Sequence, residues 1–158
     1  MKKFFCGILT MFVLGSIQAQ SKAVHQFMET YRYDQNVLHL TVPGWIMKFL
    51  NEENQQVITN EIQQAVKKCQ LLIMDRFDEE VARDYKKLQQ GLKQEGYDLL
   101  MHIKEGQKGI FIYGLENTSR SWNNLVLMMG GDDDALVLNL NGLFRQDMLD
   151  ELKVDFNN

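Results

Sequence analysis

The chain has 158 residues, with 21 acidic against 17 basic side chains, a formal net charge of −4 and 45% hydrophobic content. That balance excludes a surface built to neutralise nucleic-acid phosphates, which needs clustered lysine and arginine. It fits one domain of ordinary size held by a packed core.

Met1-Lys2-Lys3, the uncharged apolar run from Phe4 to Ile17 and the polar start after Ala19 are the three parts of a secretory leader. The run is shorter than the about 20 apolar residues that span a bilayer. The expectation is a leader over 1–19, cut near Ala19, and a single mature domain over 20–158, periplasmic or secreted, with no transmembrane span. The leader takes two basic residues with it, so 15 basic against 21 acidic residues leaves −6. Cys6 leaves too, and Cys69 alone cannot form an intramolecular disulfide. Cys6 precedes most of the apolar run and comes after Phe5, whereas a lipidated cysteine comes after the run and a small residue. A lipoprotein is therefore not expected.

Ser21 to Tyr33 opens with a short helix, because Val24, Phe27, Met28 and Tyr31 recur at helical spacing. Val37–Val42 alternates as a strand, with Val37, His39 and Thr41 on one face and Leu38, Leu40 and Val42 on the other. Pro43 closes it and opens a helix through Trp45, Ile46, Phe49 and Leu50. Ile58, Ile62, Ala65, Val66 and Cys69 make the stripe of a further helix. Leu71-Leu72-Ile73-Met74 reads as a strand buried on both faces. Asp78 caps the next helix, whose stripe is Val81, Tyr85, Leu88 and Leu92 and whose stop is Gly96.

From Tyr97 the period becomes alternating. Leu99–Lys104, Ile110–Leu115, Trp122–Met129 and Ala135–Leu140 are four strands joined by short polar connections, hence an antiparallel meander. Asn141-Gly142 ends the last of them, and Phe144–Leu152 closes the chain as a helix with Met148, Leu149 and Leu152 inward. The expected class is α+β, a predominantly antiparallel sheet of five or six strands with helices on one face. Its expected core includes Leu38, Leu40, Phe49, Ile62, Val66, Leu72, Met74, Val81, Tyr85, Leu88, Leu92, Met101, Ile112, Val126 and Leu138.

Catalytic chemistry is sparse. Gly130-Gly131-Asp132-Asp133-Asp134 superficially resembles the Gly-Gly-Asp/Glu-Glu-Phe hairpin of diguanylate cyclases, but Asp133 and Asp134 stand where Glu and Phe belong. Adjacent aspartates splay apart, whereas calcium loops use alternate positions. A tight turn with glycines at positive φ and solvated aspartates accounts for the stretch. His25, His39 and His102 form no sequence-local metal motif, Cys69 reads as a packed inert thiol, and no nucleophile elbow, phosphate loop or dinucleotide fingerprint occurs. No catalytic, cofactor-binding or metal residue is assigned, and no cofactor is expected.

The order of these segments carries a resemblance. "VLHLTVPGWIMKFL", then the stretch from "CQLLIMDRFDEEVARDYKK" to "IYGLEN", then "LVLMMGGDDDALVLNLNGLF" resemble the exported bacterial family known as domain of unknown function 4252. The resemblance implies export and an α+β fold and brings no activity or cofactor. The reading is an exported, non-catalytic binding module. It would meet an envelope protein or a small ligand through its sheet face or meander edge, with Trp122 and Tyr113 as candidate aromatic contacts. The alternative is a small periplasmic hydrolase whose His39 or His102 meets carboxylates only in the fold.

Overall fold

The computed structural model describes residues 20–47, 60–118 and 120–155. Phe49, Leu50, Ile58 and the leader over 1–19 lie outside the described residues. The chain order is α1 (Lys22–Tyr31), β1 (Val37–Pro43), α2 (Gly44–Met47), α3 (Asn60–Ala65), β2 (Val66–Met74), α4 (Glu79–Gln94), β3 (Asp98–Glu105), β4 (Lys108–Thr118), β5 (Ser121–Gly131), β6 (Asp134–Arg145) and α5 (Gln146–Asp155). All six strands form one sheet in the order β1-β2-β6-β5-β4-β3, and every neighbouring pair is antiparallel. The α+β expectation holds, with the C-terminal meander and its six-stranded sheet.

Helix α1 starts where the Ser21 hydroxyl accepts the Val24 N–H at 3.1 Å, satisfying one of the orphan donors of the first turn. Its stripe of Val24, Phe27, Met28 and Tyr31 is buried, as the spacing requires. Replacing Ser21 by alanine removes a buried cap. It is expected to destabilise the fold by about 1 kcal/mol in urea titration.

Helix α4 runs as its sequence pattern predicts. The Asp78 carboxylate accepts from the Val81 N–H, Val81, Tyr85, Leu88 and Leu92 are buried, and Gly96 turns the chain away at φ 87°. The Val81 N–H, then Arg76, holds the Asp78 carboxyl below its usual range, and Lys87, then the Tyr31 hydroxyl, does the same for Asp84. Carboxyls with depressed folded-state values contribute stability above the unfolded value of about 3.9, and lose it as pH falls through the folded value. The urea midpoint is accordingly expected to hold between pH 7 and 5 and to fall progressively below about pH 4.

Helices α1 and α4 lie together over one face of the sheet. There they enclose Leu72 and Met74 of β2, Tyr113 of β4, Val126 and Met128 of β5, and Ala135 and Val137 of β6. A second, smaller cluster sits on the opposite face at one end, where Ile62 of α3 and Met148 and Leu149 of α5 cover Cys69, Trp122, Leu125, Leu140 and Phe144.

Several local expectations are corrected. Helix α3 ends at Ala65, so Val66 and Cys69 belong to β2, because hydrogen bonding to β1 and β6 outweighs the helical spacing. Strand β6 continues through Asn141-Gly142 to Arg145, which puts Phe144 in the sheet and starts α5 at Gln146. In β1 the faces are inverted, since Leu38 and Leu40 are 56% and 46% exposed. Val37, His39 and Thr41 instead share the helix-covered face through their register with Met74, Leu72 and Gln70. Leu71 and Ile73 of the apolar run, and Met101 and Leu138 of the expected core, are only half-buried.

Candidate interaction surface

The register explains why those residues stay open. Residues facing one another across neighbouring strands share a face. Starting from Leu38, the partners run Ile73, Leu136, Met129, Ile110 and Ile103. Starting from Leu40, they run Leu71, Leu138, Leu127, Ile112 and Met101. These are two complete rungs, each crossing all six strands, with twelve aliphatic side chains and no polar one. Only Ile112 is fully buried; the others are half-buried or exposed. On the opposite face their alternating neighbours Leu72, Val126, Met128 and Val137 are fully buried. A sheet with two apolar faces and one helical layer leaves a face to cover.

The open face is bounded at both ends. At the end of the β3–β4 and β5–β6 hairpins it meets charge: Asp75, and Asp134 with Lys108 at 3.2 Å. At the other end α3 and α5 rise over it. One corner deepens into a cavity of about 240 Å³ lined by Leu99, Leu100, Met101, Ile112, Trp122, Gln146 and Leu149. That volume is below the 300 Å³ or so of sites that enclose a small molecule and suits a side chain of a macromolecular partner. A larger groove of about 460 Å³ between α1 and α4 is wide open and mostly polar, lined in part by Gln26, Thr30, Asp84, Lys87 and Gln90.

The two candidate aromatics are not displayed on this surface. Tyr113 is 2% exposed beneath the helical layer. Trp122 is 8% exposed within the smaller cluster and reaches the outside only as a wall of the corner cavity. The tryptophan that stands in the open is Trp45 in α2, 65% exposed.

The histidines are separated by the topology. His39 lies on β1 and His102 on β3, the two opposite edges, so five strand spacings of about 4.8 Å, roughly 24 Å, divide them. His102 stacks on Phe111 at 4.3 Å between ring centroids. His39 faces Leu72 across the strands, its Nε2 out of solvent and without a hydrogen-bond partner among the described residues. Among the described residues no group of three or more His, Cys, Asp or Glu side chains is placed to hold a metal ion. Cys69 is 5% exposed and burial pushes its thiol up to about 11. It is expected to react with a disulfide reagent at pH 7 at least about 100-fold more slowly in the native protein than in urea.

The glycine–aspartate stretch is the β5–β6 turn. Asp132 supplies the left-handed residue at φ 52°, Asp132 and Asp133 are solvated, and Gly130 makes room for the Phe77 and Tyr85 rings packed against it. The Tyr85 hydroxyl lies 2.8 Å from both the Met129 and Leu136 carbonyls and anchors α4 to the hairpin.

A buried polar chain was not foreseen from the sequence. On the helix-covered side, Gln20 donates to Gln70 at 2.7 Å, and Asn139 donates to the same Gln70 oxygen at 3.0 Å. The Asn124 amide donates to Asn139, and the Tyr97 hydroxyl donates to Asn124, both at 2.8 Å. The only signal for it is three amide side chains within strands otherwise rich in aliphatics.

The fold and its surface define an α+β domain of two layers whose sheet is helix-covered on one face and largely open and aliphatic on the other. The chain matches the family described as domain of unknown function (DUF4252) over residues 31–152, and it belongs to that family. No curated protein and no solved structure matches the chain. Among the described residues no helix is long and apolar enough to cross a membrane.

Proposed function

We propose that the protein is an exported cell-envelope interaction module, non-catalytic, that presents the open face of its sheet to a macromolecular partner. The observation that carries this reading is the pair of aliphatic rungs crossing all six strands, at register positions given by the strand pairings. Such a face lacks the convergent polar groups that orient a small substrate, and it has the apolar centre and charged rim of a protein contact. Export rests on the leader pattern of residues 1–19 and on the anchoring of the two residues next in the chain. Gln20 is bonded to Gln70 and Ser21 caps α1, so the fold is tied down directly after the proposed cut.

The test has two arms. Mass spectrometry of the protein isolated from its own cell envelope is expected to show a chain beginning at Gln20 with no acyl addition. An intact N-terminus, or a lipid on the chain, would overturn export by this route. Affinity capture with the wild-type protein and with Leu40→Glu is then compared. Loss of the retained envelope component in the variant supports the reading, and equal retention by both refutes it.

A further inference from the structure

We propose that docking of helix α1 closes the junction between leader and domain. The leader is then removed before the fold is completed, and a chain that has already folded resists the cut. The inference rests on the reading that the chain is exported with a cut before Gln20, and it adds an order of events to that reading.

The residues that a peptidase has to grip are the ones the fold takes up. A peptidase takes its substrate as an extended segment on both sides of the scissile bond, which is why nicking falls on exposed, loosely held chain. Only Gln20 and Ser21 separate the proposed cut from Lys22, the first residue of α1. Neither is loose. The Gln20 side chain donates at 2.7 Å to Gln70, itself 8% exposed. Ser21 is 4% exposed, and its hydroxyl caps α1 at the Val24 N–H and also meets the Tyr97 hydroxyl. Gln70 and Tyr97 are the two ends of the buried amide chain that runs through Asn139 and Asn124. The first two residues after the cut therefore close that chain into a ring. Neither can be drawn into an extended strand without opening it.

The opening cannot stay local to those two residues. The Ala23 N–H donates to the Glu95 carboxylate at 2.8 Å, and Val24, 0% exposed, begins the buried stripe that continues through Phe27, Met28 and Tyr31. The far end of the helix is pinned as well, since the Tyr31 hydroxyl donates to Asp84 at 2.9 Å and Arg76 pairs with Asp34 at 3.0 Å. Helices α1 and α4 approach so closely that a Cβ on Gly91 would stand 2.6 Å from that of Ala23. Freeing Ser21 to Val24 thus lifts α1 from the sheet and uncovers the cluster that holds Leu72, Val126 and Met128. The cut in the folded chain is tied to the population with α1 undocked, which is small when opening approaches global unfolding.

The experiment compares two orders of addition. The full chain with its leader is unfolded in urea and diluted into buffer. A leader peptidase is either present at dilution or added once circular dichroism shows folding complete, and mass spectrometry follows the product beginning at Gln20. The cut is expected to be at least about 100-fold slower in the second order, because only the opened population is then cleavable. Gly91→Ala tests the role of α1 from a site remote from the cut. Its new Cβ presses on Ala23 and loosens docking, while alanine improves α4 as a helix. Overpacking of this kind should speed the cut of the folded chain about 10-fold. Equal wild-type rates in the two orders overturn the inference and leave the leader reading in place. A folded Gly91→Ala chain cut no faster than the wild type does the same. No cut in either order removes the leader reading, and the inference with it.

Discussion

Replacing Asn124 by leucine should cost roughly 2–5 kcal/mol of folding stability, while the same replacement at Asn139 should cost about 1 kcal/mol or less. Asn139 is the more deeply buried of the two, at 0% against 3% exposure, so burial alone predicts the opposite order. The difference lies in what each leaves behind. Without Asn139, the Gln70 oxygen still accepts from Gln20, and the Asn124 amide keeps the Leu140 carbonyl and the Asn141 side chain as acceptors at 2.9 Å. Every neighbour stays partnered, and leucine is close to asparagine in shape. Without Asn124, the Asn139 oxygen loses its donor in a place 0% exposed, and the Tyr97 hydroxyl, 4% exposed, loses its acceptor and keeps only the Ser21 side chain. Stranding the Asn139 oxygen costs about 1–3 kcal/mol, and the lost Tyr97 bond adds about 1 kcal/mol, which gives the larger figure. Urea unfolding of both variants measures the order. A larger loss at Asn139 would mean that the chain of amides is held by a different set of bonds.

How far the sequence could be read depends on which physical signal was local. Helix α4 was legible because its cap, stripe and stop lie within one segment: Asp78, then Val81 to Leu92, then Gly96. The meander was legible because alternation and short polar turns together imply antiparallel neighbours. Where local signals conflicted with pairing, pairing won. Ile62, Ala65, Val66 and Cys69 have helical spacing, yet Val66 and Cys69 face Gly142 and Leu140 across the sheet. Asn141-Gly142 has turn composition, yet both residues are paired within β6.

The candidate surface was the least legible part, and β1 shows why. Alternation separates Leu38 and Leu40 from His39 and Thr41, and the more apolar set reads as inward. That inference assumes one buried face. Here both faces of the sheet are aliphatic at its centre, so the pattern within a strand says nothing about which face the helices cover. The rungs become visible only through register, which relates residues as distant as Leu38 and Ile103. Tyr113 and Trp122 read as contacts because they are aromatics in strands, but α1 and α4 cover the first and the α5 cluster takes in the second. The amide chain was hidden for the same reason, since an asparagine in a strand reads as an outward residue until its cross-strand neighbours are known.

The two faces should therefore respond very differently to the same substitution. Leu72→Ala is expected to cost about 2–5 kcal/mol, the usual range for removing a leucine from a packed interior. Leu72 is 0% exposed, flanked across the sheet by Val137 and roofed by the helical layer, so the space it leaves cannot be filled by solvent or by a loose neighbour. Leu40→Ala, on the adjacent strand but on the open face at 46% exposure, is expected to cost less than about 1 kcal/mol in the dilute monomer, as at other surface positions. Urea titration at submicromolar concentration measures both costs without contribution from association. A Leu40→Ala cost that is large even at dilution would show that the face is already packed within the single chain, and the surface proposed for docking would not be available.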